Sequence, residues 1–172
     1  MLPLTVTENF LTAEECQMWI KFHSENHHTY GEKHGETEVL DLQETFHAMF
    51  SVNKNDNFFP QIKYLNARLT AHIQSVDPES YVNYSQIVRW PDRSFQPRHL
   101  DMPFHTYTSI IYLNEDFTGG ETAVDTVEVK PQTGKMITFS GNEIPHEVRT
   151  ITSGFRYTIP VWYRTISVIA QF

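Results

Sequence analysis

Disulfides are the first thing this chain does without: its 172 residues include one cysteine, Cys16, so no internal bridge is possible and a reducing cytoplasm is the expected compartment. Long apolar runs are missing too. No stretch reaches the roughly 20 residues that cross a bilayer as a helix, and Met1-Leu2-Pro3-Leu4-Thr5 lacks the basic start and long apolar run of a signal peptide. Basic charge is scarce: 13 Lys and Arg face 21 acidic residues, a net charge of −8. That argues against a general nucleic-acid binder, which needs a basic face for phosphates. It leaves neutral or cationic substrates open, and is also an ordinary route to solubility. Repeats, linkers and low-complexity stretches are absent as well. The expectation is one domain spanning 1–172, a monomer or small homo-oligomer with no nucleic-acid or membrane partner.

What is present falls into two halves. Thr12-Ala13-Glu14-Glu15 reads as a capping box that opens a helix running to about Glu25, with Cys16, Trp19, Ile20 and Phe22 mostly on one face. A second helix is expected from Phe58 to Val76, with Ile62, Leu65, Leu69 and Ile73 on one stripe. Between them, His27 to Asn57 is polar, carries Gly31 and Gly35, and reads as loops with one short strand around Val39 to Leu42. After Asp77-Pro78 the character changes. Tyr81–Trp90, Tyr107–Asn114, Thr122–Val129, Lys135–Ser140, Glu147–Ile151, Phe155–Arg164 and Ile166–Ala170 are short, rich in β-branched and aromatic residues, and separated by turn signals. The fold class is therefore mainly β with N-terminal helices: helical support over about 12–76 packs on one sheet of a sandwich or barrel over about 81–170.

His99-Leu100-Asp101 places two metal-capable side chains two residues apart, on the same side of an extended strand. Two histidines and a carboxylate form the facial triad of non-haem iron(II), which leaves coordination positions open for chemistry. The spacing alone is weak, because His23-Ser24-Glu25 and His34-Gly35-Glu36 match it too. The first falls in the expected helix, where residues two apart do not face each other, and the second straddles a glycine in a loop. His99 and Asp101 border the strand-rich region, and His146, after Pro145 at the start of a strand, supplies a third ligand. The alternative is that both histidines are ordinary polar residues at strand ends.

Arg156 sharpens the choice. In the last long strand Phe155, Tyr157, Ile159, Val161 and Tyr163 form an apolar face, and Arg156, Thr158, Pro160, Trp162 and Arg164 form the other. If the apolar face packs on the helices, Arg156 and Thr158 look toward the metal. An inward arginine is costly unless it meets an anion, either one of the chain's own acids or a dicarboxylate held by the guanidinium fork. Pro160 implies a sheet edge or a bulge.

These residues together resemble the 2-oxoglutarate/iron(II) oxygenases of the prolyl 4-hydroxylase type, including the prolyl hydroxylases that act on hypoxia-inducible factor. Three blocks carry the likeness: Gln86-Ile-Val-Arg-Trp90 on to His99-Leu-Asp101; Ile110-Ile-Tyr-Leu-Asn114 with Gly119-Gly-Glu-Thr122; and Pro145-His-Glu-Val148 with Arg156-Tyr157 and Val161-Trp162-Tyr163. The resemblance implies a double-stranded β-helix (jelly roll) and a dioxygenase that couples decarboxylation of 2-oxoglutarate by O2 to hydroxylation. It makes His99, Asp101 and His146 the catalytic iron(II) ligands and Arg156 the anchor for the distal carboxylate of 2-oxoglutarate. Tyr112 and Thr158 would assist, and Trp162 would wall the cosubstrate pocket. Trp90 stands where the family usually has a tyrosine, so an indole N–H replaces a phenol. Pro91-Asp92-Arg93-Ser94 departs from the usual Pro-Gly, and Arg156 from the lysine of many collagen-type members.

Arg89, Arg98 and Tyr84 are the expected substrate contacts, and the 27–57 segment is either a substrate cover or a solvated loop. Three functions stay open: a hydroxylase of prolyl residues in a peptide or protein, a hydroxylase of a free amino acid or other small molecule, and a non-catalytic metal-binding β-sandwich.

Overall fold

The structure is a computed structural model that describes residues 1–52 and 58–169. In chain order the elements are β1 (Thr5–Thr7), α1 (Ala13–Tyr30), β2 (Glu32–His34), β3 (Thr37–Asp41), α2 (Leu42–Val52), α3 (Phe59–Gln74), β4 (Ser80–Trp90), β5 (Gln96–His99) and β6 (Tyr107–Tyr112). They continue with β7 (Thr118–Gly119), β8 (Thr122–Val124), β9 (Val127–Val129), β10 (Met136–Phe139), β11 (His146–Val148), β12 (Ile151–Ser153), β13 (Arg156–Thr165) and α4 (Ile166–Ile169). A seven-stranded sheet in the order β1-β10-β6-β13-β4-β3-β2 faces a four-stranded sheet, β5-β11-β8-β9, with β12-β7 as a small third pair. This is the double-stranded β-helix, or jelly roll, behind N-terminal helices.

Alternation along the large sheet builds two cores. Ile87, Ile111, Leu113, Met136, Ile159, Val161 and Tyr163 pack outward on Trp19, Phe22, Leu65, Leu69 and Ile73 of the helices. Ile110, Tyr112, Ile137 and Phe139 turn inward and meet Val124, Val129 and Ile144 between the sheets. The inward face of β4, β6 and β13 is thus the wall available to a site.

The capping box forms as expected: the Thr12 hydroxyl accepts from Glu15 N–H (3.1 Å) and the Glu15 carboxylate accepts from Thr12 N–H (2.8 Å). Several expectations need correction. Helix α1 runs on to Tyr30, because His23 is buried in the same stripe as Cys16, Trp19 and Phe22. Within 27–57 the short strand expected around Val39 to Leu42 is present as β3, but the rest is not loop: the segment also holds the end of α1, strand β2 and helix α2, while 53–57 lie outside the described residues. Asp41 Oδ1 accepts from Glu44 N–H (2.8 Å) to start α2, whose Leu42 and Met49 are buried. Gly35, at φ +61°, makes the hairpin turn between His34 and Thr37.

The Thr122–Val129 strand is two, folded at Asp125, whose φ is +53°. The strand expected over Ile166–Ala170 is instead the short helix α4 up to Ile169, Ala170 being outside the described residues; β4 begins at Ser80, so pairing ends at Thr165. Pro160 sits in neither an edge strand nor the bulge itself. β13 lies between β6 and β4; its partners on β4 run to Thr158↔Val88 and resume at Val161↔Ser85, and the register shift follows between Trp162 and Tyr163. The proline, having no N–H to donate, occupies that gap.

Candidate active site

His99 and His146 meet because they are cross-strand partners in the small sheet. Their rings lie 4.3 Å apart between centroids, and each Nε2 is 3.7 Å from Asp101 Oδ1. Each Nδ1 faces a main-chain carbonyl, Pro97 O at 2.8 Å for His99 and Ile144 O at 3.0 Å for His146. With Nδ1 protonated toward the carbonyl, both Nε2 lone pairs turn to the space beside Asp101, the usual support for a metal-binding imidazole. Burial holds the His146 pKa below the ordinary histidine range, against the pull of Asp101, so this ring stays neutral at neutral pH. Asp101 is not on a strand as expected. β5 ends at His99, and Asp101 is held by its N–H to Gly141 O (2.9 Å) and by the Thr108 hydroxyl, which donates to Oδ2. Two imidazole nitrogens and one carboxylate oxygen within 4.8 Å of one another suit a divalent first-row cation.

A cavity of about 360 Å³ opens over the triad. Tyr84, Gln86, Val88 and Trp90 of β4 wall it on one side, with Pro160 and Trp162 of β13; Phe95 and Gln96 stand on the other, and His34 and Thr37 of the hairpin at its edge. Tyr84 stacks on Trp162 at 4.5 Å and 19°. Burial, then the Asp101 and Asp41 carboxylates, push the Tyr84 phenol up to about 12, so it stays a hydroxyl.

Arg156 lies deeper, 1% exposed. Its Nη2 donates to Thr122 Oγ1 (3.0 Å) and its Nη1 points to Thr158 Oγ1 (3.5 Å), while the guanidinium stands 5.2 Å from the Trp90 ring and 5.5 Å from Tyr112. Tyr112 donates to Thr122 Oγ1 (2.7 Å) and Trp90 Nε1 to Thr158 Oγ1 (3.3 Å). Among the described residues, no carboxylate pairs with Arg156 and its Nε has no hydrogen-bond partner. Burial lowers its pKa to about 10, which leaves it charged at neutral pH. A buried cation surrounded by hydroxyls and aromatic faces is an incomplete arrangement that an anion would complete.

The structure therefore brings Arg156, Tyr112, Thr158 and Trp90 together, with the triad on the same inward side. Trp162 walls the cavity over His99, Asp101 and His146 beside Tyr84, a cavity that Trp90 also lines, while Arg156, Tyr112 and Thr158 are not among its lining residues. Arg89 turns to the opposite face of β4, as alternation with Val88 and Trp90 requires, where it pairs with Glu38 (2.9 Å) over the Phe155 ring. Arg98 reaches away to Asp125, 2.9 Å from its carbonyl. Neither lines the cavity. Sequence reasoning passed over Thr108, Gly141 and Gln86; alternation back from Tyr112 through Ile110 leads to Thr108, whereas nothing in the pattern marks Gly141.

A second cluster, His23, His27 and Glu38, also brings three ligand types together. Its groups are already engaged: Glu38 with Arg89, His23 with Glu38 O (3.2 Å), and His27 with Glu32 O (3.3 Å). It reads as the joint between α1 and the hairpin.

Residues 85–164 match the model of the 2OG-Fe(II) oxygenase superfamily. Over 68 residues the chain is 41% identical to human prolyl 3-hydroxylase 2, covering 35% of this chain and 10% of that protein. It is 44% identical to human prolyl 3-hydroxylase 1, covering 35% and 9%. The chain thus spans about a tenth of the curated relatives it matches. Among solved structures, a Pseudomonas putida prolyl-4-hydroxylase superposes with a TM-score of 0.73 at 18% identity over 96% of this chain and 94% of that one. A Trichoplax adhaerens prolyl hydroxylase, in complex with a hypoxia inducible factor oxygen degradation domain peptide fragment, gives 0.74 at 17% over 98% and 86%. At these identities the likeness is one of fold. The segment that matches the family model, residues 85–164, contains His99, Asp101, His146 and Arg156.

Proposed function

We propose that the chain is an iron(II)- and 2-oxoglutarate-dependent dioxygenase that hydroxylates prolyl residues in a peptide or protein. The observation that carries the cofactor reading is Arg156, a buried cation on the same inward face as the triad whose Nε is orphaned and which has no carboxylate partner among the described residues. A structural metal site has no use for such a group, which argues against a non-catalytic β-sandwich.

His99 Nε2, Asp101 Oδ1 and His146 Nε2 would hold the iron. Bound iron(II) with 2-oxoglutarate supplies the oxidising chemistry, coupling O2 reduction and decarboxylation to succinate and CO2 with insertion of oxygen into a C–H bond. The chain's own work is placement. Arg156 offers its guanidinium to the distal carboxylate, with the Thr158 and Tyr112 hydroxyls close enough to share it. Trp90 borders both the cavity over the triad and the guanidinium, 5.2 Å from its ring. Tyr84 and Trp162 form an aromatic wall over the metal ligands that orients a neutral, compact substrate group.

A protein substrate is favoured over a free amino acid by the rim: Phe95, Leu100 and Met102 are 57%, 51% and 56% exposed around the metal ligand His99 and offer apolar contact beyond the cavity. The prolyl hydroxylase relatives point the same way. The whole described chain would serve this one site as a single domain. Among the described residues no helix is long and apolar enough to cross a membrane. A cytoplasmic location and a monomer or small homo-oligomer complete the proposal.

The test is a purified protein supplied with iron(II), 2-oxoglutarate and a panel of proline-containing peptides and free amino acids, read by succinate release and by a mass gain of one oxygen. Slow succinate release without substrate, stimulated by a prolyl peptide that gains oxygen, is the expected result. Absence of 2-oxoglutarate binding would end the oxygenase reading, and oxygen gain on a free amino acid alone would move the substrate to the small-molecule class.

A further inference from the structure

We infer that Thr108 is a positioning residue for the metal ligand Asp101: its hydroxyl occupies Oδ2, so that Oδ1 alone is presented to the cation, in a space kept open by Gly141. The inference rests on the metal-site reading above and concerns the carboxylate only.

The two oxygens of Asp101 have different surroundings. Oδ1 is the atom 3.7 Å from both ligand imidazoles. Oδ2 faces away and accepts the Thr108 hydroxyl hydrogen. The Asp101 side chain is 8% exposed, so water does little to solvate the rear oxygen, and the threonine does it instead. A carboxylate without that donor has two equivalent oxygens to offer, and rotation about its terminal torsion is broad.

The mount is rigid. Thr108 is 2% exposed on β6, between Phe139 of β10 and Trp162 of β13, near the middle of the large sheet. Asp101, past the end of β5, is fixed to the same region from the other side by its N–H bond to Gly141 O (2.9 Å). A Cβ on Gly141 would overlap both Asp101 Oδ2 and Thr108 Oγ1. Glycine here is required by close approach, since its φ is not in the left-handed range. A hydroxyl is also a fitting donor: being neutral, it orients the carboxylate and leaves its full charge for the cation, where a lysine or arginine would compete.

The experiment titrates cobalt(II) into metal-free wild type and the variants Thr108→Val, Thr108→Ala, Thr108→Ser and Gly141→Ala, following both affinity and the cobalt d–d absorption. Loss of a group that orients a metal ligand costs roughly 10–100-fold in affinity. Thr108→Val and Thr108→Ala should weaken cobalt binding by that order and change the absorption envelope, and Thr108→Ser should restore both. Gly141→Ala should resemble Thr108→Val. If the valine variant does not fold, the alanine and serine pair carries the same comparison. A merely structural threonine would change the unfolding midpoint and leave the cobalt spectrum of the folded fraction as in wild type. That result, or failure of serine to rescue, overturns the inference. Cobalt binding that is the same in wild type and in His99→Ala would instead overturn the metal site itself.

Discussion

At the scale of single residues, the weight falls on a buried charge without an ion-pair partner. Arg156 donates to Thr122 and faces Thr158, and among the described residues no carboxylate pairs with it. Removing one member of a buried ion pair typically destabilises a protein by about 3–5 kcal/mol because it leaves the other charge buried and uncompensated, whereas removing a cation that has no ion-pair partner strands no charge and relieves its desolvation. Arg156→Met should therefore leave the ligand-free protein about as stable as wild type in urea denaturation. The same variant should bind 2-oxoglutarate roughly a hundredfold more weakly, since two charge-assisted hydrogen bonds at about 1.5 kcal/mol each are lost, with little change in metal affinity. A large loss of stability with equal losses of both ligands would make Arg156 a structural cation. The pattern of β13 made this residue legible, because alternation sets Arg156 and Thr158 opposite an unbroken apolar face. Arg89, an expected substrate contact, is carried by alternation to the opposite face of β4, where it pairs with Glu38. Thr108 shares the inward face of β6 with Ile110 and Tyr112, so alternation reaches its position but not its bond to Asp101; Gly141 leaves no periodic trace at all.

Elements show a different pattern of legibility. The two helices with unbroken stripes and the strands bounded by glycine or proline were readable, because burial on one face imposes its period on the sequence. Helix α2 was not, since among its described side chains Leu42 and Met49 alone of the apolar ones are buried, and its N-terminal signal, Asp41 with Glu44, stands in a polar stretch. Of the hairpin, only the strand around Val39 was legible. The hairpin places His34 and Thr37 at the cavity's edge while Val39 pairs with Val88 inside the sheet. Shortening its turn, by replacing 33–36 with a two-residue Asn-Gly turn, should raise KM for a prolyl peptide severalfold. Substrate-free succinate formation and 2-oxoglutarate affinity should stay as in wild type. Equal losses in both reactions would assign the hairpin to folding rather than to substrate cover.

The whole molecule couples these layers through groups that ionise. His23 lies in the helix-side core at 1% exposure, and burial pushes its pKa from 6.5 down to about 4, the Glu38 carbonyl pulling weakly the other way. Between those values the unfolded chain binds a proton that the folded chain refuses. Stability is therefore full above about pH 6.5 and falls as pH drops toward 4, by at most roughly 3 kcal/mol from this residue. Burial shifts His72 and His105 in the same direction. Urea denaturation of the metal-free protein should show the decline, and His23→Gln, which keeps an N–H for Glu38 O, should flatten part of it. An unchanged slope in that variant would place the proton uptake elsewhere.

The two histidines that face Asp101 are not mechanically equal. His146 rides on β11, which is hydrogen-bonded to a neighbour on each side, whereas β5, carrying His99, is the outermost strand and is held along one flank only. Edge strands fray before interior ones. The site is thus built as a fixed jaw and a hinged one: a cation would be loaded and surrendered by swinging the His99 side, while His146 keeps its station.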